Sequence, residues 1–311
     1  MKKNISIVIP SYNEASNIDK LLASLNETIH ALHYSFKILF IDDGSKDETV
    51  TKLKEIASQQ SNVYYIELSR NFGHQNALKA GIDLVKSNSD AIISMDGDLQ
   101  HPPHLIPELI GKWEEGYDVV YTIREEDASL SYFKNKSSKL FYRVMNQLSE
   151  VKFEPGTADF RLIDQKVATI FSDFTENELF IRGLINWVGF NQYAIHYKPH
   201  ARFSGESKYT LTKMIRFAIQ GITSFSTRPL YLAIFLGMGL SAFAILFFLV
   251  YVFYSLYFGH VISGWASVIT AIVFFGGLNL IVLGIIGMYI GKLFMQAKGR
   301  PNYLIKNTNY K

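Results

Sequence analysis

Residues 229–259 and 261–291 contain no Asp, Glu, Lys or Arg. Each run exceeds the roughly 20 residues that cross a bilayer core. A buried helix of a soluble protein seldom stays free of charge over such a length. The pattern therefore predicts two transmembrane helices, at about 229–257 and 264–291. The link between them holds no Lys or Arg. Lys208, Lys213, Arg216 and Arg228 precede the first run, and Lys292, Lys298 and Arg300 follow the second. The positive-inside rule then predicts a multi-pass protein of the cell membrane with both chain ends in the cytoplasm.

The remaining composition narrows the function classes. Net charge is +3, which gives no reason to expect nucleic acid as a partner. Cysteine is absent, so a disulfide frame, a thiolate zinc site and a cysteine nucleophile are excluded. The apolar run at residues 5–9 is too short for a signal peptide and reads as a strand.

From there the chain alternates strand and helix signals. Apolar, β-rich runs occur at 5–9, 36–41, 63–68, 91–95 and 118–121. Helical periodicity occupies 16–31, where Ile18, Leu21, Leu22, Leu25 and Ile29 share a stripe, and returns up to about 58 and over 73–86. Ser45 or Asp47 is placed to cap the second helix. This order predicts an α/β domain with a mainly parallel sheet and right-handed crossovers. Ligands of such sheets gather at the carboxyl ends of the strands. Four polar clusters fall there: residues 11–14, 42–45, 70–73 and 96–100. In the last of them, Asp96 and Asp98 stand one residue apart at the end of an apolar strand, a hard-oxygen pair suited to Mg²⁺ or Mn²⁺. Gly97 lets the backbone approach a ligand, and Pro102 and Pro103 stop the strand. His74, His101 and His104 lie near the same clusters. Residues 129–146 and 207–228 are basic and aromatic or amphipathic, as in helices lying on anionic headgroups.

The motifs Val8-Ile9-Pro10-Ser11-Tyr12-Asn13-Glu14, Asp42-Asp43-Gly44-Ser45-Lys46-Asp47, Arg70-Asn71-Phe72-Gly73, Asp96-Gly97-Asp98-Leu99-Gln100-His101-Pro102, Ala158-Asp159-Phe160-Arg161-Leu162 and Arg202-Phe203-Ser204-Gly205-Glu206-Ser207-Lys208-Tyr209 occur in that order. Each is short; the ordered series is specific. It resembles the family 2 glycosyltransferases, and within them the membrane-anchored polyprenyl-phosphate sugar transferases. The resemblance spans roughly residues 4–210.

The resemblance implies a GT-A fold, a nucleotide-sugar donor, a divalent metal and a lipid phosphate acceptor. Pro10, Tyr12 and Glu14 would line the nucleoside pocket, and Asp42 and Asp43 would accept hydrogen bonds from base and ribose. Asp96 would face the donor, while Asp98 and Gln100 would hold Mg²⁺ or Mn²⁺. Arg124, Arg202 and Lys208 match donor contacts, and Asp159 matches the position usually assigned as base, or else orients Arg161 or the acceptor. Lys134, Lys139 and Arg143 are candidates for the acceptor phosphate. Gly237, Gly239 and the Gly287–Gly291 pair suit close helix packing, within the chain or between copies of it, and related enzymes often oligomerise.

The expected organisation is a catalytic domain over 1–205, a juxtamembrane helix over 206–228, two transmembrane helices within 229–295 and a cytoplasmic tail over 296–311. The expected donor is UDP-glucose or UDP-N-acetylglucosamine. Transfer from GDP-mannose remains open. A processive polysaccharide synthase is disfavoured, because no Gln-x-x-Arg-Trp segment is present. A non-catalytic nucleotide-sugar sensor would have no reason to retain Asp98, Gln100, Asp159 and Arg202 together.

Overall fold

The computed structural model describes residues 2–125, 143, 146–149, 151, 154–177, 179–198, 221–258 and 264–310. The strands are β1 (Asn4–Ser11), β2 (Ser35–Asp42), β3 (Val63–Leu68), β4 (Ala91–Ser94), β5 (Val119–Arg124), β6 (Thr157–Asp164), β7 (Gln192–Tyr197) and β8 (Ile305–Thr308). They form one sheet in the order β7-β5-β6-β4-β1-β2-β3-β8. β1 pairs in parallel with β2 and β4, β2 with β3, and β5 with β7. β6 runs antiparallel between β4 and β5, and β8 antiparallel along β3.

β1 is buried along all but its first residue. A central parallel strand covered on both faces requires that continuous apolar character, which Ile5, Ile7, Val8 and Ile9 provide. Helices α1 (Ile18–His30), α2 (Thr49–Gln59), α3 (His74–Val85), α4 (Ile106–Glu114), α5 (Gln165–Ser172) and α6 (Ile181–Trp187) complete the domain. On one face Ile5, Ile7 and Ile9 meet Leu21, Leu25, Leu109 and Trp113. On the other, Val8, Leu39 and Ile41 meet Leu78, Ile82, Phe171 and Leu184. α3 lies so close to the sheet that a Cβ at Gly81 would stand 2.4 Å from Val8 Cγ1. All the strands that end in polar clusters therefore point those ends to one edge of the sheet.

The long helices are α7 (Arg228–Phe258) and α8 (Trp265–Ala297). Both are long and apolar enough to cross a membrane, and almost none of their apolar surface is covered by protein. Phe235, Phe248, Leu256 and Leu280, for example, are each more than half exposed. In water such a surface would drive association, and it suits a lipid environment. α8 runs past residue 291, where the uncharged run stops, to Ala297. A Cβ placed on Gly237, Gly239, Gly287 or Gly291 would meet nothing within 4 Å among the described residues.

The segment 296–311, expected as a cytoplasmic tail, contributes a strand to the sheet. β8 registers Thr308 with Ile66, Asn307 with Glu67 and Ile305 with Leu68. Asn309 Oδ1 accepts from Tyr65 N (2.7 Å), and Tyr303 OH donates to Asp83 (2.8 Å). Lys54 and Lys306 both pair with Glu67, and these bonds hold its carboxyl below the usual range against the opposing effect of burial. The reason is the exposed edge of β3, whose unpaired backbone groups take the returning chain as a further strand.

Candidate active site

Pro10, Ser11, Tyr12, Glu14, Asp43, Asn71, Gly73, His74, Asp96, Gly97, Asp98 and Asp159 line one cavity of about 400 Å³ at the carboxyl ends of β1, β2 and β4. The loops that form it are tied to one another. Asn13 takes a left-handed backbone (φ 57°), its N–H donates to Ser45 Oγ (2.9 Å), and its Oδ1 accepts from Lys46 N (2.8 Å). Glu14 N donates to Thr49 Oγ1 (3.0 Å). Asp47, rather than Ser45, accepts from Thr49 N at the start of α2 (3.1 Å).

The two carboxylates after β2 serve the backbone. Asp42 Oδ2 accepts from Gly44 N and Ser45 N, each at 3.1 Å. Its Oδ1 is buried without a partner. Burial raises the Asp42 carboxyl above its ordinary value, against the opposing bonds from Ser45 and Gly44. Asp43 Oδ1 accepts from Phe72 N (2.7 Å) and Oδ2 from Gly73 N (2.9 Å), which clamps the 70–73 loop at the start of α3. Burial raises Asp43 as well. Gly44 (φ +70°) is required here, because a Cβ would stand 2.5 Å from the Arg70 carbonyl carbon. Asp43 thus lines the cavity with both oxygens already bonded to protein, while Asp42 lies behind it.

The Asp96–Gln100 turn is held from beneath. His101 is buried and stacks on Phe160 with ring centroids 5.3 Å apart. Its Nδ1 accepts from Asp96 N (2.9 Å), and its Nε2 lies 3.5 Å from Asp96 Oδ2. His101 is therefore a support for Asp96. Leu99 has φ 63°, an uncommon backbone for a residue with a bulky side chain. This turn lets Gln100 N donate to Asp98 Oδ1 (3.1 Å), and Arg124 Nη1 donates to Gln100 Oε1 (3.3 Å).

These groups fit a hard divalent cation. Among the described residues Asp96 Oδ1 is buried and receives no hydrogen bond, and His74 Nε2 lies 3.4 Å from it. Burial raises the Glu14 carboxyl, Asn17 opposes this, and Asp98, Asp47 and Asp96 raise it further. The carboxylates of this wall thus act on one another. No preassembled set of three or more His, Asp or Glu ligands is present among the described residues. Mg²⁺ and Mn²⁺ do not need one: they are held by one or two carboxylates with the remaining positions left to water and substrate phosphate.

Asp159 occupies a different environment. Arg182 grips it with two bonds, Nε to Oδ1 (3.0 Å) and Nη2 to Oδ2 (2.9 Å). Arg161 Nη2 donates to Oδ1 (3.1 Å) and to the Ala158 carbonyl (2.9 Å). Burial alone would raise the Asp159 carboxyl. Arg182, then Arg161 and His74, outweigh it and hold Asp159 well below the usual carboxylate range. Burial lowers the Arg161 guanidinium to about 10, which leaves it charged at neutral pH.

The expected residues Pro10, Tyr12, Glu14, Asp43, Asp96, Asp98 and Asp159 are thus brought together, with Arg161, Gln100 and Arg124 joined to them by hydrogen bonds. Arg143 is exposed. Lys134, Lys139, Arg202 and Lys208 lie outside the described residues, as do most of the segments 129–146 and 206–228. Arg182 was not among the expected site residues. Its signal was a single charge in the otherwise uncharged run 179–187.

The model of the glycosyl transferase family 2 matches residues 6–171. The chain belongs to this family. It is 40% identical over 303 residues to the uncharacterized glycosyltransferase YkcC of Bacillus subtilis, covering 97% of this chain and 93% of the other. It is 36% identical to the bactoprenol glucosyl transferase of Shigella phage SfV, covering 99% of both chains. Its fold is similar to that of mannosyltransferase PcManGT of Pyrobaculum calidifontis, solved with GDP-Man and Mn²⁺. That match has a TM-score of 0.50, 12% identity, 72% of this chain and 64% of the other. The chain is accordingly a glycosyltransferase with a GT-A-like fold.

Proposed function

We propose that this glycosyltransferase moves a hexose from a UDP-sugar, UDP-glucose or UDP-N-acetylglucosamine, to polyprenyl phosphate within the cell membrane, with inversion at the anomeric carbon. The observation that carries this reading is the placement of one acidic donor cavity on a chain that continues into two membrane-type helices. The full-length likeness to a phage enzyme named for bactoprenol, a polyprenol, supports the same acceptor. In this reading both chain ends and the catalytic domain face the cytoplasm.

Asp98 and Gln100 would hold Mg²⁺ or Mn²⁺, and Asp96 would face the donor. When bound, such an ion neutralises charge developing on the leaving diphosphate. Tyr12, 42% exposed at the cavity mouth, offers its ring to the base or ribose. Asp43 holds the 70–73 loop that forms the opposite wall. Arg124 steadies Gln100, with Arg202 and Lys208 assigned to the diphosphate and Lys134, Lys139 and Arg143 to the acceptor. A phosphomonoester with a second pKa near 6 is already an anionic nucleophile at neutral pH. The reaction therefore needs no strong base, and Asp159, tied to two guanidiniums, serves as an orienting carboxylate.

The test is the purified full-length protein with undecaprenyl phosphate, Mg²⁺ or Mn²⁺ and a panel of labelled UDP-glucose, UDP-N-acetylglucosamine and GDP-mannose. The reading expects a chloroform-soluble labelled lipid from a UDP-sugar. Label found only with GDP-mannose would correct the donor. Absence of labelled lipid with every donor, while another acceptor is glycosylated, would refute the reading.

A further inference from the structure

The mechanism uses Asp159 but leaves open what sets its place. Asp159 is carried by β6, and its side chain is 6% exposed. Its strongest partner comes from a separate element, α6, more than twenty residues away in the chain. Arg182 is the second residue of α6, and its guanidinium meets both carboxylate oxygens in a planar fork.

α6 is itself fixed at that end. Ile181 N donates to Gln75 Oε1 (3.0 Å), which ties α6 to the first turn of α3. Gly183 follows Arg182, and a Cβ there would stand 2.4 Å from the Phe225 ring, so α6 is seated closely on its neighbour. His74, the first residue of α3, places Nε2 3.7 Å from Asp159 Oδ2 and 3.4 Å from Asp96 Oδ1. A continuous set of contacts thus runs from α6 through Arg182, Asp159 and His74 to Asp96 at the cavity.

We infer that Arg182 is a positioning residue of the transfer reaction: acting through Asp159, it sets the geometry of the cavity wall against which the sugar and the incoming phosphate oxygen are aligned. The inference rests on the proposed transfer to a phosphate acceptor. A misplacement of about 1 Å at such a wall costs roughly 10²-fold in rate. Arginine is required rather than lysine, because an ammonium cannot bond both oxygens in one plane.

The experiment is a double-mutant cycle in the full-length protein, with R182A, R182K, D159N and D159N/R182A assayed across donor and acceptor concentrations. Binding of UDP with Mn²⁺, measured by calorimetry, reports whether each variant keeps its donor site. The expected result for R182A is a fall in kcat of about 10²-fold, with the donor KM and UDP binding nearly unchanged. R182K restores only part of the loss, and D159N/R182A is no slower than D159N alone.

Multiplicative losses in the double variant, a rise in donor KM at unchanged kcat, or full activity in R182K would each overturn the inference. If R182A does not fold, the R182K kinetics decide it. Wild-type protein that transfers no sugar to a lipid phosphate would remove the proposed function and this inference together. Wild-type turnover with additive losses would remove the inference alone.

Discussion

The two sides of the cavity are built in opposite ways. On the side formed by the ends of β1, β2 and β4, carboxylates either cap backbone N–H groups, as Asp42 and Asp43 do, or stand without a full partner, as Asp96 does. On the side formed by β6 and α6, one carboxylate is shared by two guanidiniums. The first side has an excess of negative charge, which in the proposed function a divalent cation would offset. The second carries two guanidiniums for one carboxylate and is geometrically fixed. The contrast suits a reaction in which a metal-bound diphosphate leaves from one side while an anionic acceptor approaches the other.

Substitutions test that division. Among the described residues Asp98 bonds only locally, to Gln100 N, so D98A is expected to lower turnover by roughly 10³-fold, the loss of several kcal/mol of transition-state stabilisation. The melting temperature should stay close to wild type; full activity would remove the metal assignment and with it the acidic side's role. Asp43 has a structural duty, since both oxygens take backbone N–H groups. D43N can accept only one of the two bonds, and thermal unfolding should show a loss of about 1–3 kcal/mol.

Asn309 tests whether the returning strand supports the acidic side, because β3 leads directly into the 70–73 loop. N309A leaves Tyr65 N without its acceptor and is expected to cost about 1 kcal/mol, read from the same unfolding measurement. The smallest effect concerns pH. Burial raises Asp42, so the folded state binds its proton more tightly than the unfolded chain does. That contribution is complete below the unfolded carboxyl value near 4 and is lost as pH rises through the raised folded value. D42N keeps the acceptor oxygen and removes the titration. Its stability should fall less than wild type's between about pH 4 and neutrality; parallel curves would show that Asp42 is not raised.

The acidic side was legible in the sequence because each of its loops is one contiguous motif at a strand end. Asp96-Gly97-Asp98, Asp42-Asp43-Gly44 and Arg70–Gly73 require no knowledge of pairing. Even so, the duty of Asp43 was not visible. The same residue type that bonds a ribose also clamps backbone, and the difference lies in the distance to Phe72 and Gly73. The other side depends on β6 meeting α6, a tertiary contact that periodicity does not record. In the sequence Arg182 is one charge in the otherwise uncharged run 179–187. β8 escaped notice for the same reason: a four-residue polar strand becomes one only because β3 offers an open edge. The two long apolar helices were the plainest feature, since a helix surrounded by water or by a soluble core seldom keeps charge out over such lengths. Their ends were less plain, because α8 continues through Lys292 to bond the domain at Thr175 and Asn177.

The central claim is that this cavity transfers a sugar to a lipid phosphate with a divalent metal. It is tested most directly by following labelled UDP-glucose or UDP-N-acetylglucosamine with the full-length protein in vesicles, comparing undecaprenyl phosphate with undecaprenol, each with Mn²⁺ and with EDTA. The account predicts labelled lipid only where phosphate and metal are both present. Equal transfer to undecaprenol, or undiminished transfer in EDTA, would contradict it.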